Sequence, residues 1–286
     1  MEIDPAFERA LKAFTRRLPD FASLLRQTEA LAHTQCTAFN SASAACLNAF
    51  LAHFREENGQ KVPFAVFPSH IRTWIPELDA AQLDEFLIQH LLLERLFLCA
   101  FPDAFRHNRL AREVARVLSA LEGCGFERGA FLASLDAYYL PVEQALRSCS
   151  NRTERQQWLC TFCEQFITAY DREQAERFSV IYTPQEVVQY MCERVEQELA
   201  REFGASLSSP GVAILDPCCG IGVYSVYALG RIGREMLPYK YRHELFAIEI
   251  MLLPSYIARL NIEQAFADIV GWYEPFPGLR YASALA

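Results

Sequence analysis

The sequence predicts an α + α/β protein, in which a helical N-terminal domain precedes an incomplete α/β domain. Three observations carry this prediction. Apolar residues recur at helical spacing over most of the chain before Asp171, whereas residues 212–215 form a short apolar run that ends in an acid and a glycine turn. Residues 245–250 form a second apolar run that contains an acid near its end. We therefore divide the chain into residues 1–175, the helical domain, and residues 176–286, the α/β domain.

Helices are predicted wherever apolar residues recur three and four positions apart, which they do through most of residues 1–58, downstream of Asp79, and over residues 110–121, 131–147 and 153–170. The segment after Asp79 is too apolar to be exposed on all sides. Asn108 is a candidate N-cap for the helix that follows it. Pro141 is expected to kink or split the helix over residues 131–147, because proline cannot donate a backbone hydrogen bond.

The predicted α/β part begins with a helix for which Thr183 is the natural N-cap and Pro184 the natural first residue. This helix runs to about Phe203. The elements expected after it alternate between strand and helix, and they cover residues 212–215, 224–233, 245–250, 252–266 and 279–282. Such alternation is typical of a parallel sheet covered by helices.

Composition limits the function classes. The 286 residues are 52% hydrophobic and carry a formal net charge of -8. No apolar run reaches the roughly 18 residues of a membrane span, and no secretion signal begins the chain, so we expect a cytoplasmic protein. Cys160 and Cys163 lack a second pair at metal spacing, so no metal site is predicted. The acidic balance implies that any phosphate contacts to DNA come largely from elsewhere.

The candidate chemistry lies in the stretch Asp216-Pro217-Cys218-Cys219-Gly220-Ile221-Gly222. Its glycines allow a ligand to approach the backbone, and amides at the entry to a helix favour an anionic group. Asp216 can accept hydrogen bonds from an amine or a hydroxyl. Glu249, at the end of the second strand, is placed to accept ribose hydroxyls. S-adenosylmethionine combines an amino-acid group with a ribose and fits such a pocket.

Each motif alone also has a structural interpretation. The glycine turn can join a strand to a helix without any ligand, Glu249 can be an ordinary exposed acid, and Tyr182-Thr183-Pro184 can be only a helix cap. The order of cap, helix, glycine turn and second acidic strand is less frequent by chance than any of its parts. A nicotinamide-binding domain is a weaker alternative, because the spacing is not that of the G-x-G-x-x-G motif.

Three stretches carry a family resemblance: Val-Ile-Tyr-Thr-Pro at 180–184, Leu-Asp-Pro-Cys-Cys-Gly-Ile-Gly at 215–222, and the motifs between 239 and 263 that include Glu249. They resemble the adenine-specific DNA methyltransferases, and more narrowly the methyltransferase of single-chain, type ISP-like restriction-modification enzymes. Residues 89–97 and 162–170 look like the helical coupler of those enzymes. The resemblance spans about residues 83–279.

The resemblance implies a partial Rossmann-like domain that binds S-adenosylmethionine and acts on adenine flipped out of DNA. The cofactor-binding residues that it implies are Tyr182, Thr183, Pro184, Asp216, Pro217, Gly220, Gly222 and Glu249. The Tyr-Thr-Pro segment would line the methionine end of the cofactor. Asp216 and the two glycines would hold its amino-acid group, and Glu249 would bind its ribose.

The sequence departs from the family pattern in three places. Cys218-Cys219 stands where small residues such as Ala-Thr are usual, and Ser283 stands where an aspartate is expected to contact the cofactor adenine. The catalytic Asn-Pro-Pro-Tyr/Phe motif does not occur in the sequence. No catalytic residue is therefore assigned, and we expect the isolated chain to be inactive. DNA would be bound through missing or separate domains, and a second chain would supply the catalytic motif and target recognition. The alternative is a truncated, inactive binding or regulatory module.

Overall fold

The computed structural model describes residues 80–123, 128–133, 136–170, 172–178 and 183–284. These residues form mostly helices and one small parallel sheet, an α + α/β arrangement as predicted. The elements in chain order are α1 (Ala80–Ala100), α2 (Pro102–His107), α3 (Arg109–Gly123), α4 (Arg128–Ala133), α5 (Asp136–Ser148), α6 (Arg152–Tyr170), α7 (Arg172–Arg177), α8 (Gln185–Phe203), β1 (Ile214–Asp216), α9 (Val223–Arg231), α10 (Leu237–His243), β2 (Leu245–Glu249), α11 (Leu252–Val270) and β3 (Leu279–Tyr281). None of the described helices is both long and apolar enough to span a membrane.

Most predicted elements are confirmed within the described residues. The helices downstream of Asp79, over residues 110–121 and over residues 153–170, correspond to α1, α3 and α6, and the three predicted strands correspond to β1, β2 and β3. Helix α10 was not predicted. The helical spacing in residues 1–58 and the predicted site residue Tyr182 lie outside the described residues.

Two local predictions are corrected. Helix α5 runs from Asp136 to Ser148 and is not split at Pro141. The buried side chains of Tyr139 and Val142 flank that proline, and their packing outweighs the one backbone hydrogen bond that it cannot donate. Helix α8 begins one residue later than predicted. Pro184 has an extended ψ of 143° and is itself the N-cap, so Thr183 lies outside the helix.

The chain divides into two compact units. Among the described residues, the first comprises those from Ala80 to Leu96, from Arg109 to Arg147 and from Ala169 to Arg172. The second consists of Phe97–Asn108, Ser148–Thr168 and Glu173–Ala286, so it includes α2 and most of α6 as well as the sheet. The single boundary after residue 175 stays a prediction.

Charged and aromatic contacts to α1 organise the first unit. Arg95 Nε donates to Glu143 Oε1 at 2.9 Å, and the same guanidinium pairs with Asp136. That guanidinium also lies 4.9 Å from the ring centroid of Tyr139, whose buried hydroxyl donates to the Leu92 carbonyl. These contacts join α1 to α5 through the half-buried Arg95 and the buried hydroxyl of Tyr139.

The sheet of the second unit has the strand order β1-β2-β3, and both pairings are parallel. Side chains alternate between its faces, so Leu245, Ala247 and Glu249 share one face and are buried. Helix α11 packs on this face through Ala258 and Ile262, which belong to the same core. The other face carries Phe246, and the neighbouring Leu215 on β1 is 58% exposed.

The two edges of the sheet differ. At the β3 edge, Arg259 donates to the carbonyls of Phe276 and Leu279, at 2.5 and 3.1 Å. At the β1 edge, the Ile214 N–H donates to the backbone carbonyl of Glu244, the residue before β2, at 2.7 Å. Backbone groups alternate in direction along a strand, so those of Leu215 point away from β2. Within the described residues no strand pairs with this edge. A groove of ≈ 500 Å³ runs beside it, lined by apolar residues of α8, β1 and α9.

A buried lysine anchors the segment that leads into β1. Lys240, on α10, is completely buried, and its Nζ donates to the carbonyls of Ser209 and Val212 at 2.5 and 2.7 Å. The same ammonium pairs with Glu244 at 2.5 Å, and the other oxygen of Glu244 accepts from the Gly211 N–H. The start of the first strand is therefore fixed by a fully satisfied buried charge.

Replacing Gly222 by alanine is expected to destabilise the second unit by roughly 2–4 kcal/mol, because two costs combine. Gly222 has a φ of +81°, and a Cβ there would lie 3.1 Å from Ile262 Cδ1. Gly204→Ala is the matched control, since its φ is +59° but nothing lies within 4 Å of the added Cβ. The control is expected to cost only about 1 kcal/mol. Urea unfolding measures both values, and equal losses would contradict the packing argument.

Candidate functional site

The turn between β1 and α9 is held in place by contacts from two other elements. The Cys219 N–H donates to the Ile248 carbonyl of β2 at 2.9 Å, and the Gly220 N–H donates to Glu249 Oε2 at 2.8 Å. Asn261 of α11 donates through Nδ2 to the Ile221 carbonyl at 3.0 Å. The positive φ values of Gly220 (53°) and Gly222 (81°) make this path accessible to glycine and strained for other residues.

The backbone amides of the turn divide into two groups. Those of Gly220 and Gly222 donate to protein acceptors, Glu249 and the Cys219 carbonyl, so they shape the turn instead of facing a ligand. The N–H groups of Ile221 and Val223 have no hydrogen-bond acceptor among the described residues. These two amides lie at the N-terminal entry to α9, where an anion is favoured. The sequence identified the turn and the helix entry but did not indicate which of the turn's amides the protein itself uses.

The two carboxylates predicted for the site lie on the same face of the sheet. Asp216 pairs in register with Ala247, and Glu249 follows two residues later on β2. Their hydrogen bonds differ. Glu249 Oε1 accepts from the Met251 N–H and Oε2 from the Gly220 N–H, both at 2.8 Å. Asp216 Oδ2 is buried and has no hydrogen-bond partner. Asp216 therefore keeps one buried acceptor without a partner, whereas each oxygen of Glu249 accepts one backbone hydrogen bond.

Burial changes the acidity of both groups. Desolvation raises the pKa of Asp216 to about 6, opposed by a backbone hydrogen bond from Cys218 and reinforced by the nearby Glu249 charge. Desolvation also raises the pKa of Glu249, opposed by backbone hydrogen bonds from Met251 and Gly220. The charged form of a buried carboxylate is stabilised when a cationic group takes the place of the solvent that burial has removed. A positive charge beside Asp216 would therefore lower its pKa again.

The remaining predicted site residues within the described part of the chain are Thr183, Pro184 and Pro217. Thr183 is half-buried and Pro184 is exposed, both at the start of α8. That helix packs on α9, the helix that follows the turn, and Tyr224 Oη donates to Met191 Sδ at 2.9 Å between them. Pro217 is exposed in the turn itself. The structure thus brings together Asp216 and the turn with Glu249, and it places the helix that follows Thr183 and Pro184 beside α9.

The site also involves residues that sequence reasoning did not single out for a role. Gln156 of α6 and Asn261 of α11 form a reciprocal pair of side-chain hydrogen bonds next to the turn. A signal for Asn261 was present in the sequence. Asn261, Glu263 and Gln264 form a polar cluster in a helix that is otherwise apolar on most sides, and such residues must be satisfied when buried.

Comparison with known proteins gives structural matches only, since no protein-family model and no curated protein matches the chain. A DrdV chain from a cryoEM structure of a DrdV–DNA complex is 28% identical with a TM-score of 0.73, and the match covers 98% of this chain and 26% of that one. The ATP-dependent Type ISP restriction-modification enzyme LlaBIII bound to DNA is 25% identical with a TM-score of 0.63, covering 92% of this chain and 17% of that one.

A nuclease-deletion mutant of the Type ISP restriction-modification enzyme LlaGI, in complex with a DNA substrate mimic, matches with 24% identity and a TM-score of 0.63. This match covers 92% of our chain and 21% of LlaGI, and it shows the fold alone. The chain spans about a quarter of the length of DrdV and less of the two Type ISP enzymes. It is thus similar to a limited part of larger proteins that were solved with DNA.

Replacing Asp216 by asparagine is expected to stabilise the protein at pH 7 and to leave its stability unchanged near pH 3. The folded-state pKa of Asp216, about 6, lies above its ordinary value of 3.8, so the wild type loses stability as the pH rises between these values. The gap corresponds to about 3 kcal/mol. Urea unfolding from pH 3 to pH 7 measures the difference between the two proteins, and a difference independent of pH would contradict the raised pKa.

Proposed function

We propose that the second unit binds S-adenosylmethionine as part of a site-specific DNA adenine methyltransferase of a restriction-modification system. The observation that carries this proposal is the buried, unpartnered Asp216 Oδ2 beside the glycine turn, at the carboxyl end of β1. The DNA complexes of DrdV and of the Type ISP enzymes support the restriction-modification context. The acidic chain would use separate domains for most of its contacts with DNA.

Each group of the site has a role in holding this cofactor. Asp216 would accept hydrogen bonds from the ammonium group of the cofactor. The positive charge of that group would stabilise the carboxylate in place of the solvent that it has lost. The open amides of Ile221 and Val223 would bind its carboxylate at the start of α9. Glu249 would accept from the ribose hydroxyls with the lone pairs that its backbone contacts leave unused.

The bound cofactor would supply an electrophilic methyl group, and the residues described here would orient it and keep water from its amino-acid end. Tyr182, Thr183 and Pro184 would line the methionine side, as the family resemblance implies. Transfer to adenine also needs groups that hold the target amine. The Asn-Pro-Pro motif that does so in the family is absent from the sequence.

A second polypeptide that carries these groups would complete the site. The open edge of β1 supports this idea, because an edge strand presents unpaired backbone groups with which another strand can pair. The groove beside that edge is apolar, and α8 exposes Val187, Met191 and Val195 near it. A strand of the second polypeptide would pair with the free backbone groups of Leu215 and bury these side chains.

A second candidate function is an inactive module that binds the cofactor or DNA and regulates another protein. The missing catalytic motif favours it for the isolated chain. The two proposals share the cofactor site and differ in whether methyl transfer occurs when the missing groups are supplied.

Isothermal titration is expected to detect binding of S-adenosylmethionine and no binding of NAD. Asp216→Asn should weaken the affinity about ten- to hundredfold, since a charge-assisted hydrogen bond contributes about 1.5–3 kcal/mol. Asp268→Asn, on the exposed end of α11, is the matched control and should bind like the wild type. Wild-type affinity should fall about tenfold from pH 7.5 to pH 5, as Asp216 with its pKa of about 6 is protonated. Absence of heat with S-adenosylmethionine would refute the proposal.

Transfer of a labelled methyl group to DNA separates the two candidate functions. The chain alone is expected to give no labelled DNA. Co-expression with a polypeptide that carries Asn-Pro-Pro-Tyr and a target-recognition domain should give a complex that labels adenine, and Leu215→Pro should reduce formation of that complex by removing a backbone donor at the β1 edge. Failure of such a complex to transfer methyl groups, despite cofactor binding, would favour the regulatory module.

A further inference from the structure

The side-chain amides of Gln156 and Asn261 form a closed pair inside the second unit. Gln156 Nε2 donates to Asn261 Oδ1 at 2.6 Å, and Asn261 Nδ2 donates to Gln156 Oε1 at 2.9 Å. Gln156 is 4% exposed and Asn261 is 2% exposed, so neither amide can use water in place of the other. Losing either partner leaves a buried amide with unmet hydrogen bonds.

A third hydrogen bond links the pair to the glycine turn between β1 and α9. Asn261 Nδ2 also donates to the Ile221 carbonyl at 3.0 Å, which is the carbonyl between Gly220 and Gly222. Ile221 carries one of the two open amides of the turn. The orientation of the Ile221–Gly222 peptide therefore depends on Asn261. The orientation of the Asn261 amide depends in turn on Gln156, which contacts both its Oδ1 and its Nδ2.

We propose that Gln156 and Asn261 are positioning residues for the glycine turn, so that helix α6 and the cofactor site are energetically coupled. A displacement of α6 breaks the reciprocal pair, frees the Asn261 amide and releases the Ile221 carbonyl. Binding that orders the turn stabilises the pair in return, since coupling between two sites is reciprocal. The inference rests on the proposed function for its effect on the cofactor, whereas its effect on the turn is independent of any ligand.

The test uses the turn's own cysteines as reporters. Cys219 is buried, whereas the adjacent Cys218 is exposed and serves as the internal reference. In Gln156→Met, which keeps the side-chain length but removes the amide, we expect N-ethylmaleimide to modify Cys219 about tenfold faster than in the wild type, as peptide mass spectrometry will show. The same variant should bind S-adenosylmethionine about tenfold more weakly, with an unchanged pH dependence.

Gln264→Met is the matched control for lost stability. Gln264 is also a buried glutamine, but its carbonyl oxygen accepts from the backbone of Asp103 and Ala104 at the start of α2. It should lower the urea midpoint by a similar amount and leave Cys219 as protected as in the wild type. Equal acceleration of Cys219 modification in both variants would overturn the proposal, because loss of stability would then explain it.

A double variant tests whether the two amides act as a unit. The Cys219 modification rate of Gln156→Met/Asn261→Leu should equal that of Asn261→Leu alone, since the effect of Gln156 passes through Asn261. If the two substitutions multiplied their effects on the Cys219 modification rate, Gln156 would act independently of Asn261, which would contradict the proposal. If no form of the protein binds S-adenosylmethionine while the cysteine rates follow the expected pattern, the cofactor proposal fails and the positioning of the turn stands.

Discussion

The structure of the second unit depends on the burial of helix α11, because the buried polar side chains of this helix must form hydrogen bonds with other parts of the protein. Fourteen of its nineteen residues are buried, so the helix has no solvated face. Asn261 bonds to the glycine turn and to α6, Glu263 to the segment that follows α11, and Gln264 to the start of α2. Leaving one of these groups unpaired would cost about 1–3 kcal/mol. Segments far apart in sequence are therefore fixed by specific hydrogen bonds to one helix, and apolar packing alone would not set their register.

The carboxylates at the ends of β1 and β2 share a face of the sheet but have separate physical tasks. Glu249 accepts backbone hydrogen bonds on both oxygens and ties the turn to the second strand. Asp216 receives less compensation for its burial and keeps one oxygen unpartnered. An acid whose oxygens are both hydrogen-bonded and an acid that keeps one oxygen unpartnered cannot be told apart by residue type. The distinction arises from how many donors the surrounding backbone offers to each.

The sequence predicted the elements well because helical and strand periodicities report which side of an element is buried. The glycine turn, the three strands and the helices on either side followed from that signal. Lys240 and the Gln156–Asn261 pair did not, because a lysine or an amide is normally solvated and only its three-dimensional neighbours show that it is buried. For a related reason, the spacing of the glycines shows where a turn occurs and not which of its N–H groups the protein already uses.

A turn that is shaped in advance limits what a ligand must contribute. The Cys219 and Gly220 amides, the Glu249 carboxylate and the Asn261 amide fix the backbone path without any bound molecule. A ligand then loses little free energy to ordering the site, which raises its affinity. Asp216 receives a backbone hydrogen bond from Cys218 alone, so most of its desolvation remains uncompensated and its pKa stays raised. The fixed backbone path and the raised pKa of Asp216 thus have one cause, because the Cys219, Gly220 and Gly222 amides donate to other protein acceptors and none of them donates to Asp216.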